Sequence, residues 1–237
     1  MTSFHCQQFS VQQQHAAMKV CSDSLLFAAM ATPNAGDSVL DIGTGTGLLA
    51  LVMAQLGAGE ITAIEIDPAT CQEATRNFAH SPWSAQLQAL PGSIQDFARH
   101  TTHRYNFIIS NPPFFAEHFK SSSANKRLAR HTDRLSHNEL ISIVKLLLSA
   151  HGQFYVLLPY FAVKDFCKIA QDLGLYVYKQ CTLQAYTHKT AKVAALSFSP
   201  QKQAVTSEIL TLYSAPGVHT PECRAYLQNY LLKYAVS

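Results

Sequence analysis

The sequence has little charge, no paired cysteines and no long apolar run, and each shortage closes off a class of protein. Charged residues make up 14% of the 237 and aromatic residues 10%, a balance too apolar for an intrinsically disordered chain. No stretch approaches the roughly 18 uninterrupted apolar residues of a membrane span, so no membrane partner is expected. The opening MTSFHCQQFS has no apolar core of the signal-peptide kind, and no such leader is expected. The cysteines at 6, 21, 71, 167, 181 and 223 form no Cys-x-x-Cys pair and read as reduced thiols of a cytoplasmic protein. Histidines are plentiful, but only His100 and His103 lie within a few residues of each other, in a polar loop with no cysteine or acidic cluster. No metal site is expected.

Hydrophobic residues make up 48%, and the length suits one α/β domain over 1–237 with a sizeable core. The net charge of +3 hides a division. Residues 1–118 carry four Lys/Arg against nine Asp/Glu, and residues 119–237 carry fourteen against six. An acidic half suits a cationic ligand, and a basic half suits a polyanion.

Short apolar runs alternate with helical patterns along the chain. Ser38–Ile42, Glu60–Ile66, Tyr105–Ser110 and Gln153–Leu158 read as buried strands. Thr46–Leu56, a helix opened by Pro68, Leu135–Ser149 and Phe161–Leu173 carry apolar residues at helical spacing. A short helix over Ser22–Ala31 is expected, capped by Ser22 or Asp23. Leu175–Tyr186 and Lys192–Phe198 look like a long hairpin, and Tyr226, Leu227, Tyr230 and Leu231 suggest a closing helix. Alternation of this kind implies βαβ units and a parallel sheet, to which the hairpin adds antiparallel strands.

The stretch Asp41-Ile42-Gly43-Thr44-Gly45-Thr46-Gly47 leaves a strand and opens a helix. Glycines there let the backbone turn sharply and let a ligand approach the main chain. The spacing is G-x-G-x-G and not the G-x-G-x-x-G of dinucleotide sites, and Asp41 at the entrance would repel a pyrophosphate. Glu65 ends the next strand, about 20 residues on, where a carboxylate can accept hydrogen bonds from both ribose hydroxyls. DIGTGTG and AIEID together resemble the S-adenosylmethionine site of class I methyltransferases; a nicotinamide or flavin is the alternative. Asp96, or Ser93 in its place, follows the third strand and is a candidate for the cofactor's adenine.

Asn111-Pro112-Pro113-Phe114-Phe115 follows the strand YNFIIS and should face the same crevice. An exocyclic aromatic or amide nitrogen is a weak nucleophile because its lone pair is delocalised. The Asn111 side-chain carbonyl and the Pro112 main-chain carbonyl can accept its N–H bonds and stabilise the positive charge that develops on it. Pro113 stiffens the loop, and Phe114 offers a flat face for a stacked base. NPPFF resembles the N-P-P-[YF] motif of methyltransferases acting on planar nitrogen, many of which carry Tyr where this chain has Phe114.

The entry FSVQQQHAAMKVCSDSLLFAAM resembles that of the bacterial tRNA(Val) (adenine-N6)-methyltransferase family, through Phe9, Val11, Met18, Lys19, Val20, Ser22 and Asp23. The likeness continues through DIGTGTG, AIEID, Ser81–Trp83, SNPPFF and Leu157–Pro159; Cys21 replaces a frequent Gly and Ser22 a frequent Thr. The resemblance implies a Rossmann-like class I fold, with a mostly parallel seven-stranded sheet, helices on both faces and an antiparallel C-terminal hairpin. It implies a core over 38–237 and a segment over 1–37 that covers the site, with Lys19 and Asp23 near the cofactor's amino-acid end. The implied reaction moves a methyl group from S-adenosylmethionine to N6 of an adenine beside the anticodon of a valine tRNA. Asn111, Pro112, Pro113 and Phe114 would hold the target, and Lys19, Asp23, Asp41, Gly43, Thr44, Gly45, Gly47, Glu65 and Asp96 the cofactor.

Other members of the N-P-P-[YF] group methylate guanine N2 in ribosomal RNA, adenine N6 in DNA, or a glutamine amide in protein, and these remain alternatives. So does a non-catalytic RNA-binding module on the same scaffold. Residues 119–134 (FKSSSANKRLARHTDR) hold Lys120, Lys126, Arg127, Arg130 and Arg134 against a single acid, Asp133. They read as a basic flap that grips phosphates of an anticodon stem-loop. A monomer is expected.

Overall fold

The computed structural model describes residues 3–15, 19–112 and 135–235. Its centre is a sheet of eight strands. In chain order these are β3 (Val39–Ile42), β4 (Ile61–Glu65), β5 (Leu87–Pro91), β6 (Tyr105–Ser110), β7 (Leu148–Pro159), β8 (Tyr176–Gln184), β9 (Val193–Ser199) and β10 (Thr206–Thr211). They lie in the order β10-β8-β9-β7-β6-β3-β4-β5. Only β9 runs against its neighbours, pairing antiparallel with β7 and β8. Two short strands, β1 (Ser3–His5) and β2 (Ser10–Gln12), form a separate hairpin at the start of the chain. A second small hairpin, β11 (Tyr213–Ala215) and β12 (Val218–His219), follows β10.

The expected seven strands are thus corrected to eight. β10 adds a parallel edge strand next to β8, from Thr206 opposite Lys179 to Thr211 opposite Gln184. Its burial is confined to the end of TSEILT, so it lacks the apolar run that marks the other strands.

Both faces of the sheet are covered, and the period of two along each strand divides the core. Phe107, Ile109, Tyr155 and Leu157 face one side with α1 (Ser22–Ala29), α2 (Leu48–Gln55), α3 (Pro68–Ala79) and α7 (Pro221–Leu227). Ile108, Phe154, Val156 and Leu158 face the other, with α4 (Ile94–His100), α5 (His137–Leu147) and α6 (Val163–Asp172). Phe27 of α1 stacks on Tyr155 of β7 with ring centroids 4.4 Å apart, which fixes α1 over the middle of the sheet.

Strand order reverses beside β3. From there β4 and β5 lie to one side, and β6 and β7 to the other. Such a switch point leaves a crevice at the carboxyl ends of the strands, because successive helices cross to opposite faces. The loops after Ile42 and after Ser110 flank it, these two residues being register partners.

The N-terminal segment is strapped onto α3. Asn77 accepts from the N–H of Gln12 at 2.9 Å and donates to its carbonyl at 3.0 Å. The buried Glu73 carboxylate accepts from the N–H groups of Gln14 and His15, at 2.6 and 3.2 Å. The first turn of α1 differs from expectation, for Cys21 occupies the N-cap and neither Ser22 nor Asp23 caps the helix.

Candidate active site

The glycine loop is held open by its own backbone. Gly43 and Thr44 donate to the Ile64 carbonyl at 2.9 and 3.0 Å, which anchors the loop to β4. Gly43, Gly45 and Gly47 have φ of 72°, 56° and 87°, a region that side-chain-bearing residues avoid. Nothing lies within 4 Å of where a Cβ would stand on Gly43 or Gly45, so both expose main chain to open space. Gly47 is different: a Cβ there would lie 2.4 Å from the Phe78 ring, so the loop packs directly on α3.

Two carboxylates hold the loop from its two sides, Asp41 from β3 and Glu65 from β4. Asp41 is fully buried; Thr44 donates its hydroxyl to Asp41 Oδ2 at 2.5 Å, and Asp41 Oδ1 has no partner. Burial pushes the Asp41 carboxyl up to about 7, against the hydrogen bond from Thr44 and with a smaller push from Glu65. Glu65 Oε2 accepts from Gly45 N–H at 2.9 Å and Oε1 from Asp67 N–H at 3.0 Å. The end of β4 is thereby tied to the middle of the glycine loop.

Asn111 stands at the end of β6, across the switch point. Its Nδ2 donates to Ser24 Oγ at 3.2 Å, and its Oδ1 is buried without a partner. Ser24 is buried in the first turn of α1, with its hydroxyl 3.1 Å from Cys21 Sγ. The amide is therefore fixed with its donor end occupied and its acceptor end free. Ser110 supports the same corner, donating its hydroxyl to the Ile42 carbonyl at 2.9 Å.

The other expected site residues fall into three groups. Asp23, beside Ser24, is half-buried, and desolvation raises its carboxyl while Lys192 opposes that shift. Lys19 is exposed on the approach to α1. Asp96 is exposed on α4, its carboxylate taken up by Ser93 and Arg99. Those two partners hold it below the usual range. Ser93 caps α4 and directly follows Gly92, whose N–H donates to the Glu65 carbonyl at 2.8 Å. Pro113, Phe114, Lys120, Lys126, Arg127, Arg130 and Arg134 lie outside the described residues.

Sequence reasoning missed Ser24 and the part Thr44 plays toward Asp41. The Thr44 contact follows from a three-residue separation across a tight turn, a spacing open to inspection. Ser24 meets Asn111 across 87 positions, and no local pattern signals that.

A family model described as methyltransferase small domain matches residues 15–150, the stretch that holds the glycine loop, Glu65 and Asn111. The chain belongs to the methyltransferase small-domain family. Among proteins similar over nearly their full length is one named tRNA1(Val) (adenine(37)-N6)-methyltransferase from Flavobacterium psychrophilum. It is 38% identical, over 97% of this chain and 99% of its own. One of the same name from Pseudoalteromonas translucida is 35% identical, over 98% and 100%. The crystal structure of a predicted O-methyltransferase from Agrobacterium tumefaciens superposes with a TM-score of 0.67 at 14% identity, covering 90% of this chain and 97% of that one. At that identity the likeness is one of methyltransferase fold. No helix among the described residues is long and apolar enough to cross a membrane.

Proposed function

We propose that this methyltransferase small-domain protein moves a methyl group from S-adenosylmethionine to N6 of an adenine in tRNA, at position 37 beside the anticodon of a valine tRNA. The observation that carries the reading is the Asn111 amide: held by Ser24 at one end, it offers a buried, unpartnered carbonyl at the other.

The residues of the switch point fit the cofactor. The open main chain of Gly43 and Gly45 admits close approach, and the orphaned Asp41 Oδ1 in an acidic lining favours a ligand carrying a sulfonium and an ammonium. Asp41, Gly43, Thr44, Gly45 and Gly47 would form the floor, and Glu65 would receive the ribose hydroxyls. Ser93 and Asp96 would border the adenine, and Lys19 and Asp23 the amino-acid end. S-adenosylmethionine supplies an electrophilic methyl group on a positively charged sulfur.

The chain's own contribution is placement and charge stabilisation. Asn111 Oδ1 and the Pro112 carbonyl accept the two N–H bonds of the target amine, which turns its lone pair toward the donor and stabilises the charge that grows on nitrogen. A strong base is unnecessary before transfer, because alkylation acidifies the amine. Pro113 and Phe114 complete the cradle in this reading. Lys120, Lys126, Arg127, Arg130 and Arg134 would hold the phosphates of the stem-loop. The names of the Flavobacterium and Pseudoalteromonas relatives support the choice of tRNA and of adenine N6. The protein would then act where tRNA is processed, in the cytoplasm, as a monomer.

Nucleoside analysis of bulk tRNA from a strain lacking the gene tests this. Loss of N6-methyladenosine from valine tRNA is expected; an unchanged nucleoside profile would overturn the assignment.

A further inference from the structure

Beyond Ser110 and Asn111, the carboxyl edge of the sheet continues along β7, which pairs with β6 and β9. β7 ends at Pro159, and Tyr160 and Phe161 follow it with 45% and 65% of their surface exposed. A core Phe would be buried, since an aromatic side chain of this size gains about 2–3 kcal/mol by leaving water. Pro159 pairs with Val193, and Tyr160 N–H donates to the Lys192 carbonyl at 2.8 Å. The aromatic pair is therefore held against the loop that joins β8 to β9.

That loop, residues 185–192, carries Tyr186, His188, Lys189 and Lys192 and no acidic residue. The Tyr186 and His188 rings stack at 5.7 Å, and both lysines are exposed. Ser110, which precedes Asn111, pairs with Val156, three residues before the Pro159–Val193 pair at which the loop ends. The loop thus ends beside the candidate site. Exposed ring faces among lysines, with no carboxylate in the loop, match a stacked base and its phosphate. An apolar protein helix would call for a continuous greasy face, and here Thr187, Lys189 and Thr190 interrupt it.

We propose that Phe161 and the 185–192 loop form a second RNA subsite, in which a nucleotide flanking the target adenine stacks on Phe161 and its phosphate pairs with Lys189. This rests on the reading that the substrate is tRNA. Single-stranded loops are recognised in this way, because an unstacked base presents its face to an aromatic ring.

The test uses the full chain, a labelled valine-tRNA anticodon stem-loop, and calorimetry with S-adenosylmethionine as a check on the folded site. Phe161→Ala and Phe161→Leu should each weaken RNA binding about tenfold, and Phe161→Trp should keep it, because the ring face and not apolarity alone is used. Lys189→Glu should weaken binding and lower the slope of log affinity against log salt by about one. Cofactor affinity should be unchanged in all four variants. RNA affinity and salt slope equal to wild type in Phe161→Ala, Phe161→Leu and Lys189→Glu would overturn the subsite, leaving the patch to a protein partner. Wild type that binds S-adenosylmethionine but neither binds nor methylates tRNA would overturn the underlying function instead, before any substitution is made.

Discussion

Asp41 should make the stability of the ligand-free protein fall as pH rises through neutrality. The carboxyl is fully buried, keeps one unpartnered oxygen, and is pushed from its ordinary 3.8 up to about 7. Between these values the folded protein holds a proton that the unfolded chain has released. The stabilisation is complete below about pH 4 and is lost as pH rises through 7. A shift of about three units corresponds to about 4 kcal/mol, of which about 2 kcal/mol falls between pH 5.5 and pH 8. Asp41→Asn keeps the shape and the acceptor for Thr44 but cannot ionise. Urea unfolding of both proteins at pH 5.5 and pH 8 isolates the effect, with wild type losing about 2 kcal/mol more than the variant across that range. Equal losses in the two proteins would show that Asp41 does not titrate in this range. Ligand and proton are coupled as well: a cationic ligand favours ionised Asp41, so S-adenosylmethionine should bind wild type more weakly below pH 7 and release a proton there, whereas Asp41→Asn should show neither effect.

Asn111→Ala should lower kcat by at least about a hundredfold while calorimetry shows cofactor binding nearly unchanged. Ser24→Ala frees the Asn111 amide to turn, and about a five- to tenfold loss in kcat is expected with little change in KM; Ser24→Thr, which keeps the hydroxyl, should recover most of it. Gly47→Ala places a Cβ against Phe78 in a left-handed backbone and should cost about 2–4 kcal/mol in urea unfolding. Gly45→Ala, with open space at its Cβ, should cost only about 1 kcal/mol yet weaken cofactor binding measurably.

Much of the fold is legible in the sequence where a signal is local. YNFIIS is a strand from Tyr105 to Ser110 because an apolar run meets Asn-Pro-Pro, which cannot continue the ladder. Pro68 opens α3 as expected, with Asp67 accepting from Thr70 N–H at 2.8 Å. The glycine loop and Glu65 are likewise readable, since turn geometry and strand-end position are coded by neighbours. What escapes is set at a distance. β10 is polar along most of its length and gains its identity only by pairing with β8. The hairpin of β1 and β2 is too short to show a period, and its docking depends on Asn77 and Glu73 far along the chain. The first turn of α1 looks like a capping sequence, yet its Ser24 is turned to Asn111, a use that only the assembled switch point reveals.

The most direct test of the central claim is to incubate the purified protein with unmodified valine tRNA and methyl-labelled S-adenosylmethionine, then digest the RNA and resolve its nucleosides by mass spectrometry. Label is expected in N6-methyladenosine, mapped to the adenine beside the anticodon, and none with Asn111→Ala. Label on another base or another nitrogen, or equal labelling by Asn111→Ala, would contradict it.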